Sequence, residues 1–308
     1  MNIIGHGDIL RRLTTILSKN AAHSAYLFTG PEAVGKFLIA SCFADALINA
    51  RPSLSMPDDH AKHFVSDLIV LGRTDERVEK KKKEKRRRTE IGIEEIRQAQ
   101  KHLALFPFSG RRNVLLIDQA QSLTRGAQNA LLKTLEEPRA ESVILLVTHN
   151  PQALLPTVRS RCQKITFNLV DEKEIRADLP ADASQEVTLY AAGRPGVALR
   201  LCADPASLDR ITAMERDYAV CRGGMMHERF AIAQRLSDDV RAAHETLSLW
   251  LRMERRHFYA TTDERNDSFD RFVSNGQRIM AAMTILHTTN ANVRVILEQL
   301  MLDLEDWK

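Results

Sequence analysis

Cysteine is scarce in this chain: Cys42, Cys162, Cys202 and Cys221 are the only four in 308 residues. No two stand in a C-x-x-C pair, and residues 43 to 161 hold none. That scarcity argues against a cysteine-built zinc site and against a disulfide framework. Long hydrophobic runs are missing as well. No stretch of about 18 apolar residues occurs, so neither a membrane span nor a membrane partner is expected. The opening "MNIIGHGDILRRL" meets charges too early for a secretory signal. No internal repeat is visible. The expectation is a reduced, cytoplasmic protein.

The charge is concentrated in one place. The net +4 depends on "KKKKEKRRR", residues 80 to 88, which carries a local +7, so the remainder nets −3. So dense a run of like charge does not pack and is expected to be a solvated loop. Two readings stay open for Lys80, Lys81, Lys82, Lys83, Arg86, Arg87 and Arg88. They are an insert of no specific function, or they contact nucleic acid or an acidic partner surface.

What is present is an alternation. "AYLFTG" (25–30) and "DLIVLG" (67–72) read as buried strands, and "NVLLID" (113–118), "SVILLVTHN" (142–150) and "KITFNL" (164–169) as three further strands. Between them lie helical patterns: 3–19, the segment after Lys36, "GIEEIRQAQKHLALFP" (92–107), and "RGAQNALLKTLEEP", stopped by Pro138. Strands alternating with helices imply an α/β fold with a mostly parallel sheet covered on both faces. From about residue 170 the strand signals stop. The predicted plan is an α/β domain over 1–168, a small helical lid domain over 169–205 and an all-helical domain over 206–308.

Between the first strand and the following helix stands Gly30-Pro31-Glu32-Ala33-Val34-Gly35-Lys36-Phe37. The spacing is that of a phosphate-binding P-loop. Gly30 and Gly35 let backbone N–H groups converge on phosphate, and Lys36 supplies charge. A full motif ends in Ser or Thr, whose hydroxyl holds Mg²⁺. Phe37 has no oxygen to offer.

The second element of such a site is an acid at the end of a buried strand. "VLLIDQAQ" puts Asp118 there, with Gln119 where a catalytic glutamate commonly stands. An amide has no carboxylate with which to take a proton. Two losses at one site argue against hydrolysis, and neither a cofactor nor a metal is expected; ATP binding is in doubt.

Three stretches together resemble one family. "HSAYLFTGPEAVGK" (23–36), "QNALLKTLEEP" (128–138) and "TVRSRCQ" (157–163) are similar to the bacterial clamp-loader branch of the AAA+ ATPases. The run from Asn129 to Pro138 is the most specific. The resemblance covers residues 1–200; beyond that it rests on length, helical content and the closing "NANVRVILEQLMLDL".

The resemblance implies an AAA+ P-loop domain, a lid, and a C-terminal domain that joins a ring-like collar. The family's motor subunits carry a four-cysteine zinc module after the P-loop helix. Here that stretch offers only His60 and His63, which read as surface residues. Motor subunits also place a γ-phosphate-sensing arginine where "GRPGVAL" (193–199) has Gly196; Arg194 stands two positions earlier. On strand four, Thr148, His149 and Asn150 are the candidate polar sensors.

The intact part is Ser160-Arg161-Cys162. By resemblance, Arg161 acts in trans as an arginine finger on ATP bound to a neighbouring motor subunit; Arg159 is the alternative. The implied role is a non-catalytic stator in a hetero-oligomer with motor and clamp-opening subunits. That complex loads a sliding clamp on primer-template DNA. An active AAA+ ATPase, and a DNA-binding scaffold using residues 80–88, are the competing readings.

Overall fold

A computed structural model describes residues 3–55, 67–72, 90–108, 110–139, 141–180, 183, 185–260, 267–288 and 291–304. The basic run at 80–88 and the histidines at 60 and 63 lie outside them. The described residues fall into two compact units, Met1–Ala203 and Asp204–Lys308.

The first unit alternates helix and strand: α1 (Gly7–Ser18), β1 (Ala25–Thr29), α2 (Lys36–Ile48), β2 (Leu68–Leu71), α3 (Ile93–Leu103), β3 (Asn113–Ile117), α4 (Arg125–Glu136), β4 (Ser142–Thr148), α5 (Pro156–Arg159) and β5 (Gln163–Thr166). Three more helices close it: α6 (Glu172–Asp178), α7 (Gln185–Ala191) and α8 (Pro195–Ala203). The five strands form one sheet in the order β2-β3-β4-β1-β5, with every pair parallel. Crossovers between parallel strands need helices, and those helices cover both faces.

Covering both faces explains why the central strands are apolar at consecutive positions. β1, β3 and β4 are buried throughout. Alternate residues feed two cores. Tyr26, Phe28, Val114, Leu116, Leu145 and Val147 pack with Leu13 of α1 and Ile39 and Phe43 of α2. On the other face Leu27, Leu115, Ile117, Ile144 and Leu146 pack with Ile96 of α3 and Leu131 and Leu135 of α4. A one-residue slip of any central strand would exchange these sets.

The α3 helix stops short of the predicted 107. It ends at Leu103, and the chain turns at Ala104. Two buried polar side chains from elsewhere take over the backbone beyond it. Asn113 Nδ2 donates to the Leu105 carbonyl (2.8 Å), and the Asp67 carboxylate accepts from the N–H groups of Phe108 (2.5 Å) and Gly110 (2.7 Å). Pro107 also disfavours helix at the residue before it.

The second unit is helical among the described residues: α9 (Pro205–Gly223), α10 (Met226–Ser237), α11 (Val240–Ala260), α12 (Asp267–Thr288) and α13 (Val293–Asp303). Proline opens α9 at a position where its missing N–H costs nothing. Trp250, Leu247, Ile279, Leu297 and Leu300 centre the core. Inside that core the Glu254 carboxylate pairs with Arg222 at 2.5 Å and accepts from Asn275 at 3.2 Å. No described helix is long and apolar enough to cross a membrane.

Candidate functional site

The loop between β1 and α2 adopts P-loop geometry. Gly30, Ala33 and Gly35 have φ of 146°, 59° and 100°. Gly30 is required twice over: its backbone is in the glycine region, and a Cβ there would sit 2.2 Å from the Phe167 carbonyl oxygen. A Cβ on Gly35 would meet nothing within 4 Å, so only its φ demands glycine.

The carbonyls of this loop are occupied from within the chain. Lys36 is 6% exposed, and its ammonium donates to the carbonyls of Gly30 (2.8 Å) and Pro31 (2.5 Å). Gly196, at the start of α8, donates its N–H to the Ala33 carbonyl at 2.9 Å. His6 Nε2 donates to the Val34 carbonyl at 2.8 Å, and its ring packs edge-on against Phe167. Burial pushes the Lys36 ammonium down to about 8, against the opposing pull of the Glu32 and Asp118 carboxylates; Arg194 adds to the lowering. Burial also pushes the His6 imidazole below its usual value.

Phe37 packs as a partly buried ring against the apolar core that α2 shares with the sheet. Asp118 follows β3, and its Oδ1 accepts from the Gln119 N–H at 2.9 Å. Gln119 has a φ of 50° and an exposed side chain. On the neighbouring strand end, the Thr148 hydroxyl donates to Gln121 Oε1 (2.8 Å) and accepts from the Asn150 N–H (3.0 Å). Gln121 also reaches His149 Nδ1 at 3.2 Å. Asp118 thus lies near enough for its carboxylate to act on the Lys36 ammonium, while the Thr148 hydroxyl is held by Gln121.

Ser160, Arg161 and Cys162 follow α5 at the turn into β5. Cys162 is largely covered, and burial pushes its thiol up to about 12, so it is an inert packing group. The two arginines differ in their partners. Arg159 Nη1 donates to Gln152 at 2.9 Å. Arg161 is held by Glu136 of α4, Nη2 to Oε1 at 2.6 Å, and by the Thr157 carbonyl, Nη1 to O at 3.1 Å. Sequence reasoning named Glu136 only as a member of the run from Asn129 to Pro138.

It also passed over Gln128, at the head of the "QNALLKTLEEP" run. This side chain is 4% exposed. Its amide donates to the carbonyls of Leu123 (3.1 Å) and Ala153 (3.2 Å), and its oxygen accepts from the Leu155 N–H (2.7 Å). Leu155 is the residue before α5. Gln128 therefore fixes the start of the short helix that leads to Arg161, and Glu136 holds the arginine just past its end.

A parallel sheet in this order, with a P-loop after a central strand and an arginine just before the fifth strand, defines a P-loop nucleotide-binding fold of the AAA+ kind. Residues 5–171 match the family described as DNA polymerase III, delta subunit, and the chain belongs to that family. A DNA polymerase III subunit delta' of Pseudomonas aeruginosa is 33% identical over 195 residues, which is 60% of this chain and 58% of the relative. A subunit tau/gamma of Haemophilus influenzae is also 33% identical, over 193 residues, covering 60% of this chain and 26% of the relative. The chain thus spans less than two thirds of these relatives. A DNA polymerase III gamma subunit-related protein of Thermotoga maritima has the same fold, with a TM-score of 0.56 and 18% identity over 95% of this chain and 97% of its own.

Proposed function

We propose that this chain is a clamp-loader subunit of DNA polymerase III of the delta' type, which does not hydrolyse nucleotide itself. It stands beside ATPase subunits and presents Arg161 to ATP bound by its neighbour. Identity does not separate delta' from tau/gamma, since both stand at 33%. The chemistry of the site supports the delta' reading. The observation that carries the reading is Phe37, a core-packed hydrocarbon where a metal-holding hydroxyl is needed. Gln119 in place of an acid and Gly196 in place of an arginine point the same way. The residues present do not fit a magnesium nucleotide poised for hydrolysis.

In this reading the P-loop shape is a strand-to-helix junction closed by its own lysine. The exposed guanidinium supplies charge stabilisation in trans to a transferring phosphoryl group. The helical second unit serves as the collar. The test is reconstitution with the ATPase subunits, a sliding clamp and primed DNA. The isolated chain is expected to show no turnover. Arg161→Ala is expected to lower DNA-stimulated ATPase at the site it serves by at least about tenfold. Unchanged ATPase with Arg161→Ala would remove the finger assignment, and turnover by the isolated chain would favour a motor subunit.

A further inference from the structure

We propose that Glu136 is a positioning residue for the arginine presented to the neighbouring nucleotide, an inference that rests on the reading of Arg161 given above. The guanidinium carries five N–H groups in one plane. Glu136 Oε1 engages Nη2 at 2.6 Å and the Thr157 carbonyl engages Nη1 at 3.1 Å. Two contacts on different terminal nitrogens fix both the position and the plane of the group. The Arg161 side chain remains 36% exposed and that of Glu136 49% exposed, so the pair is open to an approaching partner.

A half-exposed ion pair adds little to folding stability. Its consequence here is orientation. An unrestrained arginine has many rotamers to lose when it meets a phosphoryl oxygen, and pre-ordering removes part of that cost before the subunits meet. The carboxylate has a rigid base from which to act. Glu136 is the last residue of α4, and Leu135 beside it is buried in the core under the sheet. Two turns earlier on the same helix, Gln128 fixes the chain just before α5. One helix therefore sets both ends of the segment that bears Arg161.

The experiment measures kcat and KM for ATP in the reconstituted complex with the wild-type chain, Glu136→Ala, Glu136→Gln, Arg161→Ala and the Glu136→Ala/Arg161→Ala double variant. Thermal melting of each chain checks that it is folded. Glu136→Ala is expected to lower kcat by about tenfold with KM little changed, since misplaced catalytic groups lose rate rather than binding. Glu136→Gln, which keeps an acceptor oxygen in place, is expected to retain most of the activity. The double variant is expected to match Arg161→Ala alone, because Glu136 acts only through the arginine. Wild-type or raised kcat in Glu136→Ala, or a loss that adds to that of Arg161→Ala, would overturn the inference while leaving the arginine assignment standing. Wild-type kcat in Arg161→Ala would remove that assignment, and this inference with it.

Discussion

The ammonium of Lys36 lies 2.8 Å from the carbonyl oxygen of Gly30, six residues earlier in the same loop. A P-loop lysine is the group that meets outer phosphates in an active enzyme. In this chain it joins the two ends of its own loop, with Pro31 as second acceptor.

This placement has a pH signature. The Lys36 pKa falls from 10.5 to about 8 in the folded chain, chiefly through burial. Between those values the folded state binds fewer protons at this site than the unfolded state, so stability rises with pH across that window. Below pH 8 the full cost of burying the charge is present. Urea unfolding of wild type and Lys36→Met at pH 7.5 and pH 10 checks this. The wild type should gain on the variant at the higher pH, by at most about 3 kcal/mol.

Restoring the missing hydroxyl should not restore an enzyme. Phe37→Ser supplies an oxygen, but Gln119 and Gly196 remain. The isolated chain is expected to stay inactive in a phosphate-release assay. It should also lose roughly 1–3 kcal/mol of stability, since the ring leaves a packed site. Turnover by Phe37→Ser would show that the other two positions were not disabling.

Gln128→Ala should act at a distance. It strips a partner from the Leu155 N–H and from two carbonyls, at a cost of roughly 2–3 kcal/mol. With the start of α5 loosened, ATPase of the assembled complex should fall even in a folded variant. Chemical denaturation and complex-level kinetics separate the two effects. Full activity in a destabilised chain would limit Gln128 to stability.

The parts of this molecule that depend on local pattern are legible in the sequence. β1, β3 and β4 announce themselves as apolar runs because both sheet faces are covered. Gly30, Gly35 and Lys36 announce the loop because the turn admits few residue types. The parts that depend on a remote partner are not legible. The α3 helix ends early because Asp67 and Asn113 capture the backbone beyond it, and neither signal lies in the helix. Gln128 and Glu136 are ordinary helix residues until the α5 segment is brought against them. The contact of Gly196 with Ala33 joins residues 163 positions apart in sequence, and no periodicity encodes it.

The most direct test crosses two substitutions in one assay, the single-turnover ATPase of the reconstituted clamp loader on primed DNA. If this chain supplies an arginine and no nucleotide site, Lys36→Ala should leave the rate within roughly twofold of wild type, while Arg161→Ala should cut it by about tenfold or more at the site it serves. The reverse pattern, loss with Lys36→Ala and none with Arg161→Ala, would make this chain a working ATPase and contradict the account.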